Sequence, residues 1–310
     1  VLPNPPVSQI MTKDPPIISV DEELSAIMQR FDEYHLRQAA VCQGSRLVAL
    51  LSDGDLKRFS LSVAFQDRPN INAVFLDHFV GMNAVTNPEY CALAPNATLL
   101  DALEGMETFG HFSVPVVDDS HNLLGMVTVF DALRYLADVP NSRDRFGRKQ
   151  KTTLARKRLT VAGIMTREPT IVDVMTGITE AIDLMRNGEY RHLPVLRAGI
   201  PVGVLTRRDI LKFTYSSVFD PEGPEEWHLL DDIIDIESVM TPDPDTVSAD
   251  TSIPEGAKIL LKNRTGCLLV TSHGGQQLEG IATEKDFMRL LRKELHSYWN
   301  PGNKRKNAKK

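Results

Sequence analysis

A chain of 310 residues with 42% apolar content has material for two or three domains, each with a real core. No apolar stretch nears the roughly 18 residues a membrane span needs, and the opening "VLPNPPVSQIMT" lacks the charged and apolar regions of a secretory signal, so a soluble protein of the cytoplasm or nucleus is expected. The net charge of −6 hides two basic segments: a balance of +6 between Asp138 and Thr160 and +5 from Asn300 onward, so the rest of the chain carries −17. The first residue is Val1 rather than Met, which leaves an N-terminal extension open. Cys42, Cys91 and Cys267 are odd in number and far apart, which predicts free thiols and no disulfide.

In chain order, a first unit opens at "IMT" from Ile10, passes a Pro-containing turn and reaches the β-branched "IISV" at Ile17. Leu24, Ile27, Met28 and Phe31 then recur at helical spacing. The unit closes on "ALLSDGDLK" from Ala49, which delivers Ser52 and, three residues on, Asp55. The second unit has no clean "MT": "GMNAVTNPEYCALAP" stands there, and its first strand is the hardest to place. "LLDAL" at Leu99, "VPVV" at Val114 and "GMVTVFDAL" at Gly125 restore the pattern, with Thr128 and Asp131 at the end.

The third unit is the fullest. "IMT" at Ile164 leads to "TIVDV" at Thr170, a helix through Ile178, Ala181, Ile182 and Met185, and the runs "LPVL" at Leu193 and "PVGVL" at Pro201. A turn with Gly199 joins these runs as a hairpin, and "GVLTRRDIL" from Gly203 supplies Thr206 and Asp209. After the segment 216–235, the fourth unit opens at "VMT" from Val239. It keeps the helical spacing at Ile253, Gly256, Ala257 and Leu260, and ends on "GIATEKDFM" from Gly280 with Thr283, Asp286 and a helix to Leu295.

The hydroxyl positions 52, 128, 206 and 283 lie 76, 78 and 77 residues apart, a near-constant period. The predicted fold is α+β, four repeats of strand, helix, strand, strand, helix. A unit of this size buries too little apolar surface to stand alone, so pairs are the expected folding bodies. The expected layout is a module over 1–138 with units at about 7–60 and 74–138, a basic linker over 139–159, a module over 160–298 with units at about 160–215 and 236–295, and a basic tail over 299–310.

A strand entering a helix aims unpaired N–H groups and the helix dipole outward, which favours an anion. At that point a hydroxyl can donate to phosphate, whereas an Asp only accepts and suits a sugar diol. The spacing has a plainer reading too: a Ser or Thr with an acid at +3 is a helix capping box and needs no ligand. Phosphates also need cations. Unit three is richest, with Arg191, His192, Arg207 and Arg208, and unit one offers Arg37 at the matching place, with Lys57 and Arg58 after it. Unit two has only His111 near its strand, and unit four has Gly266 and Cys267 where the basic pair stood, with Arg264 and Lys285 nearby. Unequal sites follow, strongest around units one and three. No P-loop, G-x-G-x-x-G, H-E-x-x-H, metal-spaced Cys pair or G-x-S-x-G is present, so neither an enzyme nor a catalytic cofactor or metal is expected. The basic segments lack stacking aromatics, so nucleic acid is not the expected partner.

The layout "IMT", Pro turn, helix, "RHLPV" at Arg191 and "GVLTRRD" at Gly203 resembles the cystathionine-beta-synthase (CBS) domain, a regulatory repeat whose pairs are Bateman modules. The four-unit arrangement is similar to the gamma regulatory subunit of AMP-activated protein kinase and to archaeal and fungal four-CBS proteins. The resemblance implies two Bateman modules in a flat disc, made by one chain or by a homodimer, that bind AMP, ADP or ATP, and less readily S-adenosylmethionine, in clefts between paired units. It implies hydroxyl-to-phosphate and carboxylate-to-ribose roles for Ser52/Asp55, Thr128/Asp131, Thr206/Asp209 and Thr283/Asp286, and an adenine border at Thr12, Thr166, Thr170 and Thr241. The expected function is an adenine-nucleotide sensor that signals to a protein partner, a kinase or another enzyme. A ligand-free scaffold and a regulatory fragment of a larger enzyme or transporter stay open beside it.

Overall fold

The structure is a computed structural model that describes residues 2–34, 36–60, 89–138, 159–210, 235–263 and 266–299. The basic linker, most of the 216–235 segment, the opening of unit two before residue 89, Arg264, the side chains of Lys57 and Arg58, and the tail beyond Trp299 lie outside the described residues. Among those described, no helix is long and apolar enough to cross a membrane.

Unit one runs β1 (Ile17–Ser19), α1 (Leu24–Glu33), β2 (Gln38–Gln43), β3 (Arg46–Ser52) and α2 (Asp53–Ser60). β1 lies parallel to β2, and β2 antiparallel to β3. β2 is apolar without a break because both its faces are covered. Ala39 and Val41 pack under Ile27 and Phe31 of α1, while Ala40 and Cys42 meet Val117 and Met126 of unit two. Unit two runs α3 (Leu99–Phe109), β4 (Ser113–Val117), β5 (Leu123–Thr128) and α4 (Val129–Asp138). Its uncertain first strand contracts to one parallel bridge, Leu93 to Val116. Pro95, which has no N–H to give, follows two residues on.

Units three and four trade their opening segments. In unit three, β6 (Thr166–Arg167) is followed by β7 (Val172–Asp173), α5 (Ile178–Asn187), β8 (His192–Arg197), β9 (Ile200–Thr206) and a helical turn from Arg207. Unit four is α6 (Ile236–Val239), β10 (Thr241–Pro242), β11 (Thr246–Val247), α7 (Ile253–Asn263), β12 (Cys267–Ser272), β13 (Gln277–Thr283) and α8 (Glu284–Trp299). β6 pairs with β13 of unit four, and β10 pairs with β9 of unit three. In the first pair of units the opening segment of unit one crosses in the same way, through the bridge from Thr12 to Met126.

This exchange explains the glycines of the repeated nonapeptides. A Cβ at Gly125 would lie 2.6 Å from the Thr12 carbonyl and 2.8 Å from the Met11 sulfur, and one at Gly280 would lie 2.6 Å from the Thr166 carbonyl. At Gly203 the same added carbon would run into the Met240 sulfur. The Met of each "MT" therefore lies across the bare backbone of the partner unit. The Gly199 hairpin is as expected: Ala198 and Gly199 both hold positive φ, +50° and +84°, in a two-residue turn.

The two pairs join through helices. Leu133 and Leu136 of α4 share one core with Leu260 of α7 and with Phe287 and Leu291 of α8, all fully buried. The Trp299 indole donates to the Leu2 carbonyl at 3.0 Å, tying the far end of α8 to the start of the chain.

Candidate functional site

The period makes four positions equivalent: Arg37, Phe112, Arg191 and Gly266, each immediately before a hairpin's first strand. Each carbonyl accepts from the residue that follows the repeat's hydroxyl: Asp53 N–H to Arg37 at 3.0 Å, Val129 to Phe112 at 2.9 Å, Arg207 to Arg191 at 2.9 Å and Glu284 to Gly266 at 3.1 Å. These four positions converge. The Arg191 guanidinium stands 4.3 Å from the Phe112 ring centroid and that of Arg37 5.8 Å from it, both within cation–π range. Gly266 completes the set by having no side chain: at φ +82°, a Cβ there would sit 2.6 Å from Arg37 Nη2.

Two ion pairs cross between the modules here. Arg37 pairs with Glu284, and Arg191 reaches Asp53 at 3.3 Å. Burial lowers the Arg191 pKa below the usual guanidinium range; Asp53 opposes the shift, and Arg37 and Arg207 add to it. Arg208 is lowered in the same way, first by burial and then by Arg37. Guanidiniums start from so high a pKa that both stay charged near neutral pH.

A cavity of about 680 Å³ opens between units three and four, and Arg37, Asp53 and Phe112 of the other module close one side of it. It gathers many of the residues singled out in the sequence. Thr206, Arg207 and Asp209 stand on one wall, with Arg191 and His192; Thr283 and Asp286 stand opposite; Thr166, Thr170 and Thr241 also line it. Ser52, Asp55, Thr128, Asp131 and Thr12 are not among its lining residues. Three buried side-chain atoms of its lining residues have no hydrogen-bond partner among the described residues: Arg207 Nε, Arg208 Nε and Glu284 Oε1.

In all four units the hydroxyl and the Asp bond each other. The backbone N–H of Ser52, Thr128, Thr206 and Thr283 donates to Oδ2 of the Asp three residues on at 2.8–2.9 Å, and the hydroxyl donates to the same oxygen at 2.5–2.8 Å. In the first three the Asp N–H returns a bond to the hydroxyl at 3.1–3.4 Å. This is the capping box, and Asp is long enough to make it. It is the plainer of the two readings of the spacing, and it places each hydroxyl within hydrogen-bond reach of Oδ2. The cavity wall also carries the arginine N–H groups of Arg37, Arg191, Arg207 and Arg208.

The carboxylates then differ at Oδ1. Asp131 is 2% exposed, and its Oδ1 accepts from Arg134 at 2.8 Å and Thr12 Oγ1 at 3.3 Å, so four donors surround it. Asp209 Oδ1 faces the equivalent Thr241 hydroxyl at 3.5 Å, on the cavity wall. Arg37 lines the cavity of units three and four, in the room that Gly266 leaves.

Asp53, Phe112 and Glu284 went unnoticed in the sequence. Their signal was the column after the hydroxyl, which reads Asp53, Val129, Arg207, Glu284, set against the column before the strand. Among the described residues, no group of three or more His, Cys, Asp or Glu could hold a metal ion.

Residues 7–62, 83–138, 161–216 and 236–293 each match the CBS domain. The uncharacterized protein MJ1225 of Methanocaldococcus jannaschii is 25% identical over 201 residues, 64% of this chain and 65% of that protein. The crystal structure of MJ1225, proposed as an archaeal homolog of g-AMPK, matches with a TM-score of 0.73 at 18% identity, covering 92% of this chain and 99% of that one, a likeness of fold. MJ1404 of the same organism, also uncharacterized, is 25% identical over 317 residues, 96% of this chain and 66% of that protein. Arabinose 5-phosphate isomerase KdsD of Francisella tularensis is 26% identical over 130 residues, 41% of this chain and 36% of that enzyme. The chain thus spans less than two thirds of the length of each of these curated relatives.

Proposed function

The chain belongs to the CBS-domain family, in four copies, and from that premise we propose that it is a non-enzymatic regulatory sensor of adenine nucleotides. AMP, ADP or ATP occupies the cavity between units three and four, with phosphate at Arg37, Arg191, Arg207 and Arg208 and ribose toward Asp209 and Asp286. Thr166, Thr170, Thr241 and Ile281 border the base. The observation that carries this reading is the set of atoms lining the cavity that have no partner among the described residues, two arginine Nε donors and the Glu284 Oε1 acceptor. Buried polar groups of this kind cost about 1–3 kcal/mol each until something satisfies them, and a phosphate would satisfy the arginines. S-Adenosylmethionine, cationic at sulfur, suits such a wall less well.

The pairs 1–138 and 160–298 act as two Bateman modules, and the signal passes to an unidentified protein partner, a kinase or another enzyme. A ligand shifts two conformations only by binding them unequally, so AMP and ATP must differ in how they hold the two modules. For the cleft of units one and two, the enclosure of Asp131 favours a scaffold role. Calorimetric titration with AMP, ADP, ATP and S-adenosylmethionine tests the proposal. Nucleotide binding that Asp209→Asn weakens at least tenfold supports it, and heat-silent titrations with all four ligands at millimolar concentration end it.

A further inference from the structure

The two ion pairs at the centre run in opposite senses. Arg37 of module one holds Glu284 of module two, and Arg191 of module two holds Asp53 of module one. Each arginine precedes a strand and each carboxylate follows a repeat hydroxyl, so the period places a cation and an anion at matched positions in different units. The Glu284 side chain is 2% exposed and that of Asp53 12%. Both carboxylates and both guanidiniums line the same cavity. Toward a guanidinium, a carboxylate does what a phosphate would do: it offers two oxygens to a planar fork of N–H donors.

We propose that Asp53 and Glu284 are built-in competitors of an anionic ligand, so that a phosphate taken up at Arg37 and Arg191 displaces the ties between the modules. This rests on reading the cavity as a nucleotide cleft. An incoming phosphate and the resident carboxylates claim the same donors, and like charges a few ångströms apart in a half-dry cavity repel. Ligand uptake and intermodule pairing are therefore antagonistic, and the coupling is reciprocal: whatever weakens the ties strengthens the ligand. Asp53 and Glu284 thereby make the cleft sensitive to how many negative charges a ligand brings. Glu284 Oε1, buried and without a partner among the described residues, shows one of these ties only half satisfied.

The test uses the whole chain with Glu284→Gln and Asp53→Asn, which keep shape and remove charge. Affinities for ATP, for sodium tripolyphosphate and for uncharged adenosine are measured by calorimetry. Coupling energies of this type correspond to about 5- to 150-fold, so each variant is expected to bind ATP and tripolyphosphate at least about fivefold tighter, with adenosine unchanged. ATP binding that stays equal or weakens in folded variants overturns the competitor proposal and leaves the nucleotide reading standing. Tripolyphosphate that tightens while ATP gains nothing from its adenosine keeps the competitor proposal and removes the nucleotide reading. Silence from every protein with every probe removes both. Should Glu284→Gln fail to fold, the more exposed Asp53→Asn carries the test alone.

Discussion

The Arg37 guanidinium closes on the Glu284 carboxylate, 247 residues further along the chain, across the bare Cα of Gly266. A residue type chosen for what it lacks thus decides where a charge can go. The equivalent position in unit three is Arg191, and an arginine at 266 would have put a third guanidinium beside Arg37 with no carboxylate in the matching place.

Gly266→Ala is expected to destabilise the fold by roughly 1–3 kcal/mol, from backbone strain at positive φ and from displacing Arg37. Gly199→Ala is the control. Its φ of +84° is as unfavourable, yet no atom of the described residues lies within 4 Å of the added carbon. The difference between the two in urea denaturation isolates the crowding against Arg37 and His192; equal losses would show that the crowding costs nothing.

Asp131 and Asp209 should respond differently to the same substitution. Asp131→Asn removes charge from an oxygen pair that receives four donors, so stability should drop by roughly 1–3 kcal/mol. Nucleotide affinity should stay unchanged. Asp209→Asn, on the cavity wall, should weaken the nucleotide as well.

His111 supplies a pH dependence. Burial lowers its imidazole pKa, and Asp55 offsets part of the shift. The unfolded chain therefore takes up a proton before the folded one does. Stability tied to neutral His111 is present above the unfolded value of about 6.5 and is lost as pH falls through it toward the lower folded value. Denaturation midpoints for the wild-type chain should fall between about pH 7 and pH 5, and His111→Asn should flatten that part of the profile. Parallel profiles for the two proteins would refute the assignment.

Phe287 is fully buried in the core shared by the modules, and its ring occupies the space beside Gly256, where a Cβ would lie 2.8 Å from Cζ. Phe287→Ala should cost about 3–5 kcal/mol, read as an earlier urea midpoint. A loss below 1 kcal/mol would mean that the core collapses to refill the space.

The four-unit register was legible because its signals are local: apolar periodicity at Leu24, Ile27 and Phe31, and a hydroxyl followed at +3 by Asp. Local signals also put Arg191, Thr206 and Asp209 in one place. What stayed hidden depends on facing surfaces. Nothing near Arg37 in the chain says that its side chain leaves its own unit, and nothing near Asp131 announces Arg134 and Thr12 as its partners. Capping box and ligand site also share one sequence signature, and only the third dimension shows each hydroxyl within reach of Oδ2.

The traded opening segments bear on how such chains can grow or shrink. Thr166–Arg167 finishes the edge of a sheet whose first other strand begins at Thr246, and Thr241–Pro242 returns the favour. A lone repeat would leave its own edge bare and carry a segment with nowhere to lie. Duplication or deletion is therefore tolerated by twos, and the doublet is the smallest heritable piece.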